Sequence, residues 1–280
     1  MQAGRNPIRR NRNIGTPKQG YGRDNRLVIP ERRYGPTFLG DVGRHRVVVR
    51  KIGSKDLRFL VEETRDDCVH ACTVDDIAHV LAQLPGDDWE GLDLIYLRQP
   101  TRKQEVLSLV WGRLAYYTEI ADLKGAALIL EAIDTSKPRK WPLSLDPEAA
   151  VELERLREAG HRIETTRRAH IVRSSLGTGR ATQLYHTVLH ETGHWVDYLR
   201  SVEKPAAQSE DQGDDWSHRW DLYWSRPPKE REAFAHRYAD EVKRKLSNAG
   251  VIPFERRLDL DALRRDGLRP EDFIESRSER

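Results

Sequence analysis

Residues 182–200, TQLYHTVLHETGHWVDYLR, are compatible with few folds. His190 and His194 are four residues apart, so on a helix they share a face and can grip one metal ion. Glu191 is turned from them by roughly 100°. From there it reaches a water on the metal rather than the metal itself, as a general base must. On a helical wheel Leu184, Tyr185, Val188, Leu189, Trp195, Val196 and Leu199 cover one broad side. His186, His190, His194 and Asp197 fall in a narrow stripe, with Glu191 at its edge. A helix this apolar belongs in a core. Imidazoles on its only polar stripe need a partner, because buried polar groups cost free energy unless paired, and zinc is a suitable one. The competing reading is a solvent-facing stripe on an ordinary amphipathic helix.

The 280 residues are 38% hydrophobic and 33% charged, enough for one large domain or two small ones with a modest core and a heavily charged surface. No apolar run approaches the roughly 20 residues that span a bilayer. The basic start has no apolar segment behind it and does not read as a secretory signal. With only Cys68 and Cys72, a disulfide framework is not expected. The expectation is a cytoplasmic, non-membrane chain, with export by a route lacking an apolar signal left open. Net charge is +3 but uneven: residues 1–36 hold nine Arg or Lys and two acids, a balance of +7, which leaves −4 for the rest.

Residues 1–36 are rich in Arg, Asn, Gly and Pro and bury too little to offset their ordering entropy. They read as a disordered basic arm, either a solvated tail or a contact for nucleic acid or an acidic partner. Residues 37–140 read as an N-terminal α+β region. Strands are expected at 46–52 and 57–62 about a Gly-Ser turn, then at 92–97, 106–111, 114–120 and 126–133, giving an antiparallel or mixed sheet. A helix is expected over 66–84, with Thr73 and Asp76 as cap and box. Cys68, His70 and Cys72 near its start lack a usual zinc spacing and read as part-buried thiols beside a histidine.

Residues 141–280 would form the second domain. Residues 135–144 connect to it, and Asp146-Pro147-Glu148 opens a helix that Gly160 stops. A strand over 163–174 and a loop over 176–179 lead into the motif helix. An acidic stretch, 201–215, precedes Trp216, Trp220, Tyr223 and Trp224 at near-helical spacing, which read as a packing cluster. Pro227-Pro228 opens a helix over 229–246, and 269–280 is a polar, fraying end.

A catalytic zinc usually takes three protein ligands and keeps one open position. Glu232 is 38 residues after His194, on the helix over 229–246, where Ala235, Tyr238, Ala239, Val242 and Leu246 form the buried side. It borders that side above two alanines that let helices approach closely, whereas Glu230 points away. His218 is the rival third ligand, His236 reads as a supporting or surface group, and Asp197 is placed to orient a ligand imidazole.

HETGHWVDY followed by EREAFAHRY resembles the gluzincin metallopeptidases, in particular the anthrax lethal factor catalytic-domain type, which carries an HExGHxVD helix and a later E-x-F-A helix. The likeness covers residues 182–246 and implies a zincin-like α+β fold with a sheet packed on the motif helix and the Glu-bearing helix. It implies Zn²⁺ held by His190, His194 and Glu232, with Glu191 as base. Relatives place a tyrosine shortly before the ligand Glu to steady the oxyanion. Tyr223, nine residues upstream, is the nearest candidate here. The expected activity is a zinc-dependent endopeptidase acting on a protein or peptide, with 163–174 a candidate for binding substrate by strand addition. Two other classes stay open: a regulatory protein on a zincin scaffold, and a nucleic-acid-associated factor delivered by its basic arm.

Overall fold

Val47-Val48-Val49 and the run Leu57 to Val61 are β-branched and aromatic enough to favour extended chain. They lie in β1 (His45–Ile52) and β2 (Lys55–Glu62), which pair antiparallel about Gly53. Gly53 adopts φ +61°, the left-handed conformation that a tight hairpin turn demands and glycine supplies without strain. β3 (Leu92–Arg98) lies parallel to β2, β5 (Leu123–Glu131) parallel to β3, and β4 (Gly112–Ile120) antiparallel to β5. The result is a mixed five-stranded sheet, β1-β2-β3-β5-β4, with β4 on an edge. This computed structural model describes residues 42–107, 110–209 and 212–274. The basic arm, 1–36, lies outside them.

One face of the sheet supplies Leu57, Phe59, Ile95, Leu97, Leu128 and Leu130 to the main core. From the other side come Ile77 and Leu81 of α1 (Val74–Leu81) and Leu184, Val188 and Leu189 of the motif helix. The Thr73–Asp76 capping box is present, but the helix it opens is shorter than 66–84. Val69 instead exchanges two backbone hydrogen bonds of 2.9 Å with Ile133, which holds the preceding residues extended. Asp76 also receives Arg180 through two bonds, 2.8 and 3.0 Å, fixing α1 to the start of the motif helix.

Several elements differ from the sequence reading, each for a local reason. Where the strand expected at 106–111 would begin, residues 106–107 instead end α2 (Arg102–Leu107), which Thr101 and Gln104 open with a reciprocal cap, and 108–109 lie outside the described residues. The stretch 163–174 is two strands, β7 (Arg162–Thr165) and β8 (His170–Arg173), folded back at a turn where Thr166 bonds Ala169. With β6 (Arg139–Trp141), inside the expected connector, they form a separate sheet, β6-β8-β7. The helix that Asp146 caps is α3 (Pro147–Glu158), closed at Gly160 as expected. The loop at 176–179 is α4 (Leu176–Thr182), capped by Ser175 with Thr178.

From α4 the helix is continuous through a π-helical turn (Gln183–Thr187), α5 (Val188–Tyr198), a second π-turn (Leu199–Glu203) and α6 (Lys204–Ala207), so part of the acidic stretch is helical. α7 (Gln212–Ser225) carries the tryptophan cluster, and α8 (Pro228–Asn248) follows the proline pair. α9 (Leu260–Asp266) and α10 (Pro270–Phe273) close the description. Pro270 and Phe273 are buried, so 270–273 is packed rather than frayed, and the last residues, 275–280, lie outside the described ones. Residues 42–280 make one compact unit, and the boundary expected between 140 and 141 falls inside it. No described helix is long and apolar enough to cross a membrane.

Candidate metal centre

Gly193 explains how two helices converge here. A Cβ added to it would sit 2.9 Å from both Cα and O of Ala235, so α5 and α8 touch backbone to backbone. Ala235 and Ala239 are fully buried in this contact. The close approach brings Glu232, one turn before Ala235's successor His236, over the two motif histidines. His190 Nε2 and His194 Nε2 are 3.1 Å apart. Glu232 Oε2 is 3.3 Å from His190 Nε2, and Oε1 is 3.4 Å from His194 Nε2.

Those three distances can be compared with a metal's demands. Tetrahedral zinc with bonds of about 2.0–2.2 Å spaces its ligand atoms about 3.3–3.5 Å apart. The 3.1 Å between the two imidazole nitrogens, and the 3.3 and 3.4 Å from each of them to a different Glu232 oxygen, are of that size. The donor set, two neutral imidazoles and a carboxylate, suits zinc. His190 and His194 hold the Glu232 carboxyl well below its usual range, so its oxygens are available as ligands. Desolvation works against the charged form of His194, but the Glu232 and Glu191 carboxylates outweigh it and raise the imidazole. The outer nitrogens, His190 Nδ1 and His194 Nδ1, are buried with no hydrogen-bond partner.

His236 was read as a supporting or surface group, and it is half-buried with its ring centroid 4.4 Å from that of His190. His190, Glu232 and His236 also bring ligand atoms within 4.8 Å of one another, so His236 is a second candidate ligand beside His194. Arg155 Nη1 lies 3.4 Å from His236 Nε2. A guanidinium can only donate, so that nitrogen accepts and the ring proton sits on Nδ1. His186 lies behind, its ring tilted by 34° and 5.8 Å from that of His190, with Glu152 at 3.7 Å, and burial pushes its imidazole down to about 3. The π-turn that contains it inserts an extra residue just before the motif, a feature frequent at functional sites. His218 is exposed on α7 and makes none of these contacts. Cys68 and Cys72 are free and face different partners, Arg65 and Gln183, while His70 Nε2 donates to the Glu62 carbonyl at 2.7 Å.

Glu191 lies between the motif helix and the edge strand. A Cβ on Gly112 would meet Ile129 O at 2.4 Å and Thr187 Cγ2 at 2.8 Å, so β4 is drawn tightly against the turn before α5. The Leu114 backbone then faces the Glu191 carboxylate and favours its charged form. Burial pushes this carboxyl up, against the downward pull of His190, His194 and Leu114. The strand beside the Glu191 carboxylate is therefore β4, and 163–174 belongs to the smaller sheet. By sequence Gly112-Arg113 reads as a turn, but Gly112 begins β4, and a glycine at the start of an apolar strand is the signal that could have pointed to such a close approach.

Tyr223 is buried in an aromatic cluster with Tyr116, Tyr198 and Trp224. Its hydroxyl is 3.0 Å from that of Tyr116, a β4 residue whose own hydroxyl is raised first by burial and also by the Tyr223 and Glu191 charges. Asp197 does not orient a ligand imidazole. Its carboxylate takes both terminal nitrogens of Arg226, and Ser201 Oγ at 3.4 Å. Arg231 then bonds the Arg226 carbonyl at 2.9 Å and the Tyr223 carbonyl at 3.3 Å. These contacts fix the entrance to α8 and with it the position of Glu232. No family model, curated protein or solved structure matches this chain.

Proposed function

We propose that this chain is a zinc-dependent endopeptidase built on a zincin-like core, hydrolysing peptide bonds in a protein substrate. The observation that carries the reading is the convergence of His190 and His194, 3.1 Å apart, with one Glu232 oxygen 3.3 Å from the first and the other 3.4 Å from the second, beside a buried Glu191. The three residues would hold the zinc. When bound, zinc lowers the pKa of water toward neutrality and polarises a carbonyl oxygen. Glu191 takes one proton from the attacking water as its oxygen joins the scissile carbon. It returns that proton to the amine nitrogen as the carbon–nitrogen bond breaks. The Leu114 backbone favours the charged form of that carboxylate. Tyr116 and Tyr223 share one hydrogen bond between two hydroxyls, which leaves one phenolic proton to donate to an oxyanion. Among the described residues β4 is an edge strand, on whose outer side an extended substrate can lie as an added strand.

Elemental analysis and peptide hydrolysis test the reading together. Purified without chelators, the protein should carry about one zinc per chain. Glu191→Gln should keep that zinc and lose hydrolysis, because the near-isosteric amide accepts no proton. Absence of zinc even after reconstitution, or a Glu191→Gln variant as active as the parent, would remove the proposal.

A further inference from the structure

The charges around one cavity do not balance. It occupies about 530 Å³ between the ends of β4, β5 and β6, and its wall includes Arg113, Glu131, Asp134, Lys137, Arg139 and Lys140. The carboxylates are already held. Glu131 takes Arg98 at 2.8 Å and Arg113 at 3.2 Å, Asp134 takes Lys137 at 2.6 Å, and Glu105 on the rim takes Arg65. Arg139 and Lys140, by contrast, form no ion pair among the described residues. The Arg139 guanidinium carbon lies 4.1 Å from the centroid of the Trp111 ring, a cation–π contact that uses none of its N–H donors. Burial pushes this guanidinium down to about 10, while the pull of Asp134 and Glu105 offsets only part of that. A desolvated cation without a counter-ion is costly, and the same geometry is suited to a planar or tetrahedral anion.

The cavity is coupled to the candidate active site along β4. Arg113 lines it and feels the charge of Glu191, and the next residue, Leu114, touches Glu191 through its backbone. A peptide lying along this edge advances about 3.3 Å per residue, so a side chain a few positions from the reacting bond reaches the cavity. We propose that this cavity is a specificity pocket that takes an anionic side chain of the substrate, a carboxylate or a phosphate, on Arg139 and Lys140. The assignment rests on the peptidase reading above.

Two measurements separate the pocket from that reading. In the first, the zinc-loaded chain cleaves a peptide library carrying Glu, phosphoserine, Gln or Lys at each position flanking the bond. At one position kcat/KM should favour Glu or phosphoserine over Gln by about tenfold, the ratio that one charge-assisted hydrogen bond supplies. The larger of the two ratios names the anion. Arg139→Gln should bring it close to one, and Arg139→Lys should restore part of it. Lys140→Gln, on an exposed residue, should lower it without touching the core. In the second, inorganic phosphate is titrated into metal-free Glu191→Gln protein and followed by ³¹P line broadening. Binding should be lost in the Arg139→Gln derivative. An acidic preference that survives Arg139→Gln overturns the proposal, and so does the absence of both preference and phosphate binding. If no peptide is cleaved while phosphate still binds through Arg139, the peptidase reading fails and the assignment of a substrate side chain to this pocket falls with it, leaving an anion site.

Discussion

Glu232 is the residue on which the metal assignment turns, because each of its oxygens meets one motif imidazole. Glu232→Ala would leave two histidines and water, a set without the closed geometry that binds zinc tightly. Zinc affinity should fall by more than the roughly 10- to 100-fold typical of losing a supporting residue. Glu230→Ala and His218→Ala, both on exposed residues, should retain the metal. A mild chelator challenge on the three variants reads this directly. Loss in His218→Ala with retention in Glu232→Ala would point to a three-histidine site. Away from the centre, His70 carries a different expectation. Burial pushes its imidazole down to about 4, while an unfolded histidine titrates near 6.5. Between those values the unfolded chain binds more protons, so stability rises with pH across the window and is complete above it. The contribution is on the order of 3 kcal/mol. Urea midpoints from pH 4.5 to 7 should climb less steeply in His70→Gln than in the parent, and parallel curves would refute the assignment.

The pairing of α5 with α8 depends on a missing side chain. At Gly193 an added Cβ meets Ala235 backbone at 2.9 Å, and backbone cannot swing aside as a side-chain tip can. Gly193→Ala should cost about 1–3 kcal/mol, as overpacking does, and should lift Glu232 off the histidines, weakening zinc binding. Gly213→Ala on α7, where an added Cβ meets nothing within 4 Å, is the control. A competitive zinc titration alongside thermal melts checks both, and a Gly193→Ala protein with parental zinc affinity would show that the contact does not set the site. Local signals of this sort were legible. The Thr73–Asp76 and Asp146 caps, the two proline-opened helices and the motif stripe all rest on residues within one turn of one another. The start of the strand expected at 106–111 is helical instead, because the Thr101–Gln104 cap outweighs an apolar alternation. What no local pattern could give was the strand order. That β4 rather than 163–174 lies beside Glu191 follows from pairings between distant segments.

On the scale of the whole molecule, the core takes no notice of residue 140. Leu184, Val188 and Leu189 of the motif helix pack in one cluster with Leu57, Phe59, Ile95, Leu128 and Leu130 of the sheet. A fully buried side chain of this size contributes about 1.5–3 kcal/mol, and a domain's net stability is only about 5–15 kcal/mol. Removing the sheet therefore takes away several contributions that together match the whole margin. It also removes the Asp76 carboxylate that Arg180 holds through two bonds, leaving a buried guanidinium unpaired. Gly112 and Leu114, which bring Glu191 its backbone partner, go with the same half. Residues 141–280 expressed alone should accordingly show no cooperative melt, poorly dispersed amide resonances and little zinc uptake. Residues 42–280 should unfold in one transition whose midpoint rises when zinc is added. The comparison needs only circular dichroism and a zinc titration on the two proteins. A 141–280 fragment that melts cooperatively and binds zinc as tightly as the longer chain would mean that the two halves fold apart and that the sheet only covers a site complete without it.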